Sequence, residues 1–306
     1  MKECLKKYIV LAVAASMAAV SCTKFDQEGM KIGNTLLVYM AANNNLASYA
    51  EYNIEEIMAG DVPEYFNEGS GDVLLVYADI AGSNPRLMRI SKDSYGVVNQ
   101  EVLVEYEPQN SISDSVMAEV LSYAARLFPS SEHSLILWSH GTGWLPDGYY
   151  AEPYSLGADG QAVSMSVQED PYAMCVKSFG LDRTSDSEMD IRTLAGILPV
   201  HYRYIMFDAC LMGGIEVAYE LRKNCDYVVG SAAEVLASGF PYSRIVGDLM
   251  DGRLSSLTSV CDDYYEEYSD MGATVSVVDT RYLESLAEAC ADIFNRGGRD
   301  SIAGLD

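Results

Sequence analysis

Apolar runs recur along this chain, and most of them are followed by a stretch whose apolar residues return at helical spacing. Residues 35–41 read as a strand and 47–59 as an amphipathic helix. Residues 72–79 read as a second strand, and 87–106 as two shorter runs that suit a hairpin. The spacing of Val116, Val120, Leu121, Ala124 and Leu127 predicts a helix over 113–128, and a long strand follows at 134–139. Asp190 suits the N-cap of a helix over 191–198. The remaining pattern predicts strands at 202–207, 227–231 and 273–278, and helices at 214–223, 243–250, 255–268 and 281–294. Between Gly141 and Asp190 periodicity is lost among Gly, Ser, Asp and Tyr, and a segment of that length inside a compact domain is rarely inert, being more often functional or disordered.

Strands that are apolar throughout and alternate with helices imply an α/β fold, a mainly parallel sheet covered on both faces. In such folds reactive groups collect beyond the carboxyl ends of strands. Two motifs stand there: Leu135-Ile136-Leu137-Trp138-Ser139-His140-Gly141 and Tyr204-Ile205-Met206-Phe207-Asp208-Ala209-Cys210.

The N-terminus reads as a targeting segment. Lys2, Lys6 and Lys7 precede the apolar run 8–20, and small residues follow, as in a secretory signal. Ala19-Val20-Ser21-Cys22 is similar to a bacterial lipobox, with Ala in place of the usual Leu. The expected organisation is a signal peptide over 1–21, a polar tether over 22–34 lipidated at Cys22, and a catalytic domain over 35–306. Such a chain is exported and held at the cell envelope by its lipid. The alternative is an ordinary signal peptide with an incidental cysteine.

Composition narrows the function. The 306 residues are 49% hydrophobic, enough for a large core, and the formal charge of −25 is the wrong sign for a nucleic-acid partner. An acidic surface favours cationic ligands. Of seven cysteines, Cys4 lies in the signal and Cys22 in the lipobox; Cys175, Cys210, Cys225, Cys261 and Cys290 form no CxxC, which argues against a structural zinc or a dense disulfide scaffold. His133, His140 and His201 are too few for a multi-histidine metal centre.

A thiol at one strand end and an imidazole at another suit nucleophilic catalysis, with Cys210 attacking a carbonyl and His140 moving protons. The turn Leu211-Met212-Gly213-Gly214 suggests backbone amides for an oxyanion, aided by the next helix. Gly141 allows close approach of a substrate backbone, and Trp144 suits a cleft wall. Taken singly, such a cysteine is usually a small buried hydrophobe and such a histidine a turn residue.

The segments Leu36–Leu46, Trp138–Trp144, Ser178–Asp182, Phe207–Met212 and Ala233–Tyr242 together resemble the clostripain family of cysteine peptidases, in the caspase-like clan. The resemblance runs from about residue 35 to 250. It implies a caspase-like α/β/α sandwich, a His140/Cys210 dyad, and cleavage of peptide bonds after Arg or Lys. It also assigns Asp208, two residues before the cysteine, to holding a basic side chain by charge-assisted hydrogen bonds; the competing reading is a turn cap. Ser238 stands where some relatives carry a second acidic residue, which leaves the preference for basic residues open.

The resemblance implies calcium dependence and self-cleavage as further traits. Asp159, Asp170, Asp182 and Asp186 are acidic loop residues without EF-hand spacing, and no cofactor follows from the residues themselves. Self-cleavage would use Lys177, Arg183 or Arg192, because 145–176 contains no Lys or Arg. The expectation is a monomeric exported endopeptidase acting on a protein or peptide. The alternatives are a surface lipoprotein that captures peptides without cutting them, and a thiol hydrolase of another specificity.

Overall fold

The computed structural model describes residues 31–65, 70–143, 178–182 and 187–295. In chain order the strands are β1 (Lys31–Ala42), β2 (Ser70–Ile80), β3 (Arg86–Lys92), β4 (Val98–Glu105), β5 (Ser130–Trp138), β6 (Gly141–Gly143), β7 (Ser178–Asp182), β8 (Ser187–Asp190), β9 (Tyr202–Asp208), β10 (Cys225–Gly230) and β11 (Ser276–Asp279). The helices are α1 (Ala47–Ala59), α2 (Asp114–Leu127), α3 (Ile191–Ile197), α4 (Ile215–Leu221), α5 (Tyr242–Asp251), α6 (Leu254–Tyr268) and α7 (Leu283–Ile293).

Eight strands form one sheet in the order β11-β10-β9-β5-β1-β2-β3-β4. The central strands β10, β9, β5, β1 and β2 run parallel, and β11, β3 and β4 pair antiparallel at the edges. Both faces are apolar, so alternate residues of each central strand feed different cores. On one face Leu37, Tyr39, Leu135, Leu137, Ile205 and Phe207 pack with α2, α3 and α4. On the other, Leu36, Val38, Met40, Ile136, Tyr204 and Met206 pack with α1, α5 and α6. The architecture is the α/β/α sandwich expected from the pattern.

Local chemistry fixes the helix ends. Ser113 Oγ accepts from Val116 N–H at the start of α2, and Asp190 accepts from the Arg192 and Thr193 amides at the start of α3, as its position predicted. Gly252, with φ +62°, lets the chain turn out of α5.

Three boundaries depart from the periodicity. β1 begins at Lys31 rather than residue 35, because Asn34 is buried with its side-chain amide donating to Met250 O and its backbone N–H donating to Asp72 Oδ1. Satisfied in this way, a polar residue joins the strand. β11 starts at Ser276, three residues later than the apolar run suggests. The region 141–190, read as aperiodic, contributes β6, β7 and β8 to a separate antiparallel sheet in the order β6-β7-β8. Phe179 and Met189 fasten it to the α2–α4 core, and Phe179 meets Phe207 edge-on at 6.0 Å. Short strands, the first cut off from the other two by residues 144–177, leave no period to detect. No helix among the described residues is long and apolar enough to cross a membrane, and the signal, the lipobox and its Cys22 lie outside the described residues.

Candidate active site

β5 and β9 are neighbours, and their register pairs Trp138 with Asp208. His140 and Cys210 each lie two residues beyond that pair, so they leave the sheet at the same level from strands about 4.8 Å apart. β1 lies on the other side of β5. From β1 the chain goes on to β2, and from β5 it goes on to β9 on the opposite side. The loops after β1 and β5 therefore diverge and leave a crevice at the topological switch point. A cavity of about 250 Å³ opens there, lined by Asn45, His140, Asp208, Cys210, Val235 and Gly239 among others.

Cys210 is half-buried and sits against the segment after β10. Its Sγ accepts from Val235 N–H at 3.3 Å, and its S–H faces Val235 O at 3.5 Å. Burial raises the thiol above its ordinary range; the Val235 amide works against that, while Glu234 and Asp208 add to it. The resting group is a thiol that needs a base. Leu211, the next residue, adopts φ +64°, a backbone region that costs a leucine roughly 1–3 kcal/mol. Its N–H donates to Ala233 O and that of Gly213 to Ser231 O. These two turn amides tie the nucleophile to the 231–235 segment instead of facing the cavity, contrary to the oxyanion role the glycine-containing turn suggested. α4 begins only at Ile215.

His140 is half-buried, and its Nε2 lies 2.9 Å from Asn45 Oδ1. Its carbonyl accepts from Gly180 N–H. The preceding Ser139 Oγ donates to Ala41 O at 2.6 Å, binding the ends of β5 and β1 together. Gly141 is buried, and a Cβ there would lie 2.6 Å from Cys210 O. Its lack of a side chain admits the protein's own nucleophile turn.

Asp208 is buried at the cavity wall. Oδ2 accepts from Tyr242 O–H at 2.8 Å and from Phe240 N–H at 3.2 Å. Burial pushes its carboxyl up to about 6, against these two hydrogen bonds and aided by Glu56. Gly239, φ +70°, passes so close that a Cβ would stand 2.7 Å from Asp208 Oδ2. Asn53 braces the same wall, accepting from Trp138 Nε1 at 2.9 Å and donating to Ser238 O at 2.8 Å. Ser238 turns its hydroxyl to Tyr268 O–H at 2.9 Å while its neighbours Ala237 and Gly239 line the cavity.

Arg192 is held by Asp190 in the first turn of α3. Trp144, Lys177, Arg183, Asp159, Asp170 and Asp186 lie outside the described residues. Asp182 accepts from Asn43 Nδ2, and no group of metal-ligating side chains occurs among the described residues. Asn45, Asn53, Val235 and Tyr242 escaped the sequence reading. Asn45, Val235 and Tyr242 stand in segments that carried the resemblance without being given a role, and Asn45 is also a polar residue just past a strand end.

The family model of the clostripain family, Peptidase C11, matches residues 38–296. A secreted C11 cysteine protease from Bacteroides thetaiotaomicron, solved with an irreversible peptide inhibitor, is 31% identical with a TM-score of 0.67, over 86% of this chain and 70% of that one. An inactive zymogen C11 protease from Parabacteroides distasonis is 29% identical with a TM-score of 0.67, over 85% of this chain. The chain spans 66% of that protein's length. No curated protein sequence matches the chain. The fold is caspase-like, and the chain belongs to the clostripain family of cysteine-type endopeptidases.

Proposed function

We propose that the protein is an exported cysteine endopeptidase that cuts peptide bonds after Arg or Lys through Cys210 and His140. The carrying observation is that these two residues leave adjacent parallel strands at one level and line one cavity. His140 takes the thiol proton as Cys210 Sγ attacks the scissile carbonyl carbon. A backbone N–H beside the nucleophile, that of Cys210 itself, would serve the developing oxyanion. Collapse of the tetrahedral intermediate passes the proton from His140 to the leaving amine and leaves a thioester, which water hydrolyses with the histidine again as base.

Asp208 supports the basic preference. Both of its hydrogen bonds fall on Oδ2, so Oδ1 remains for a guanidinium or ammonium in the cavity. Lipidation at Cys22 would hold the enzyme at the cell envelope, in keeping with secretion of the Bacteroides thetaiotaomicron relative.

The test is hydrolysis of a library of peptidyl reporters by the chain lacking residues 1–21. Arg or Lys reporters should be cleaved, cleavage should stop with a thiol alkylator, and Cys210→Ala should abolish it. Undiminished turnover by that variant would refute the nucleophile, and turnover without regard to the residue before the bond would refute the basic preference.

A further inference from the structure

A histidine that serves a thiol must present a lone pair to it. A half-buried imidazole on a loop has two tautomers and a rotatable ring, so something has to choose among them. The contact at 2.9 Å between His140 Nε2 and Asn45 Oδ1 bears on that choice. An amide oxygen only accepts, so Nε2 must carry the hydrogen and the lone pair falls to Nδ1.

Asn45 is itself firmly placed. It ends a run of three asparagines that follows β1, and each neighbour has a separate anchor. Asn43 Nδ2 reaches Asp182 on β7. Asn44 Nδ2 donates to Ala41 O and Leu181 O, while its Oδ1 accepts from Leu46 N–H at the start of α1. The segment is thereby pinned to the end of β1, to β7 and to its own helix. The histidine's backbone is pinned to the same places, through Ser139 Oγ on Ala41 O and Gly180 N–H on His140 O. Asn45 and His140 consequently face each other across the switch-point crevice from one rigid frame.

We propose that Asn45 is the positioning residue for His140: its side-chain carbonyl holds the Nε2 hydrogen, selects the tautomer whose Nδ1 takes the thiol proton, and retains the imidazolium until the leaving amine is protonated. This rests on the His140/Cys210 reading. No bond to substrate passes through Asn45, so its effect is carried by the orientation and basicity of the ring.

The experiment compares Asn45→Ala, Asn45→Asp and His140→Ala, reading kcat, KM and the pH dependence of Cys210 alkylation by iodoacetamide. Among the described residues Asp208 and Glu234 also act on the thiol; both stay in place in every variant, so the comparison between variants cancels them, and neutral iodoacetamide gives Asp208 no cation to hold. Asn45→Ala should lower kcat about tenfold or more, part of what a positioned base supplies, with KM nearly unchanged. Its alkylation profile should move to lower pH, because the imidazolium has lost an acceptor. Asn45→Asp should move the profile up by about one pH unit, a carboxylate favouring the charged ring. Thermal melting of each variant separates these effects from loss of fold, since a merely structural residue moves Tm and not the profile. Wild-type kcat and an unmoved profile in both Asn45 variants, with His140→Ala inactive, would overturn the positioning role alone. Activity in His140→Ala would overturn the dyad beneath it.

Discussion

Asp208 and Asp79 are two buried carboxyls pushed up to about 6, and they owe the shift to burial first. Asp208 is held by Tyr242 and Phe240, whereas Asp79 Oδ2 completes no hydrogen bond; the Ser111 hydroxyl and amide work against the rise at Asp79 and Asp182 adds to it. A carboxyl raised from 3.8 to about 6 binds its proton more tightly in the folded chain. Its stabilising contribution is therefore complete below about pH 4 and is lost as pH rises through 6. Asp79→Asn removes the charge that burial disfavours, so its Tm should exceed the wild type by about 2–4 °C at pH 8. The two should melt together at pH 4, and a gap of equal size at both pH values would contradict the assignment. For Asp208 in its proposed role the consequence is selectivity. The ratio of kcat/KM for an Arg reporter over one with a neutral residue should be flat above pH 7 and fall about tenfold per unit below 6. Asp208→Asn should lower that ratio and remove its pH dependence. The sequence carried Asp208 by its place before the cysteine, but nothing in it distinguished its doubly bonded Oδ2 from the unbonded Oδ2 of Asp79, because that depends on Tyr242, Phe240 and Ser111 arriving from other elements.

The nucleophile turn is built as a unit with β6. A Cβ on Gly141 would stand 2.6 Å from Cys210 O, and one on Gly143 would collide with Leu211 O. With Leu211 at φ +64° and its N–H bound to Ala233 O, the turn has no slack in either direction. Gly141→Ala should push Cys210 away from the histidine. A displacement of about 1 Å can cost on the order of a hundredfold in rate, so kcat should fall by that order while the chain still melts cooperatively. Wild-type kcat would show that the turn yields. This contact marks the limit of sequence reading at the level of elements. The long strands and helices were legible because each buries a continuous stripe against one partner. β6, β7 and β8 were not, because three short strands drawn together across residues 144–177 have no common period. Two of the turn amides expected to serve an oxyanion, those of Leu211 and Gly213, are consumed by the neighbouring 231–235 segment, which local sequence does not announce.

Across the whole molecule, the alternation of strands and helices foretold a parallel sheet with both faces covered, but not the order β11-β10-β9-β5-β1-β2-β3-β4 that sets β5 beside β9. That order brings His140 to Cys210 and also places the pair in a negative field. The chain carries a formal charge of −25. Near the cavity, Glu234 and Asp208 act on the thiol, and Glu56 acts on Asp208. The field has opposite effects on the two halves of the reaction. It disfavours the Cys210 thiolate, which under the proposed mechanism makes the enzyme dependent on its base, and it would draw in the cationic substrate proposed above. Salt separates the two, because exposed charges are screened beyond a Debye length of about 10 Å at 0.1 M while contacts inside the cavity are not. Raising NaCl from about 20 to 500 mM should therefore lower kcat/KM for an Arg-containing cationic peptide several-fold, through KM, with kcat unchanged. A peptide with the same Arg but no net charge should show a much shallower slope. If the two slopes coincide, the acidic surface plays no part in capture, and Asp208 alone carries the attraction for a basic residue.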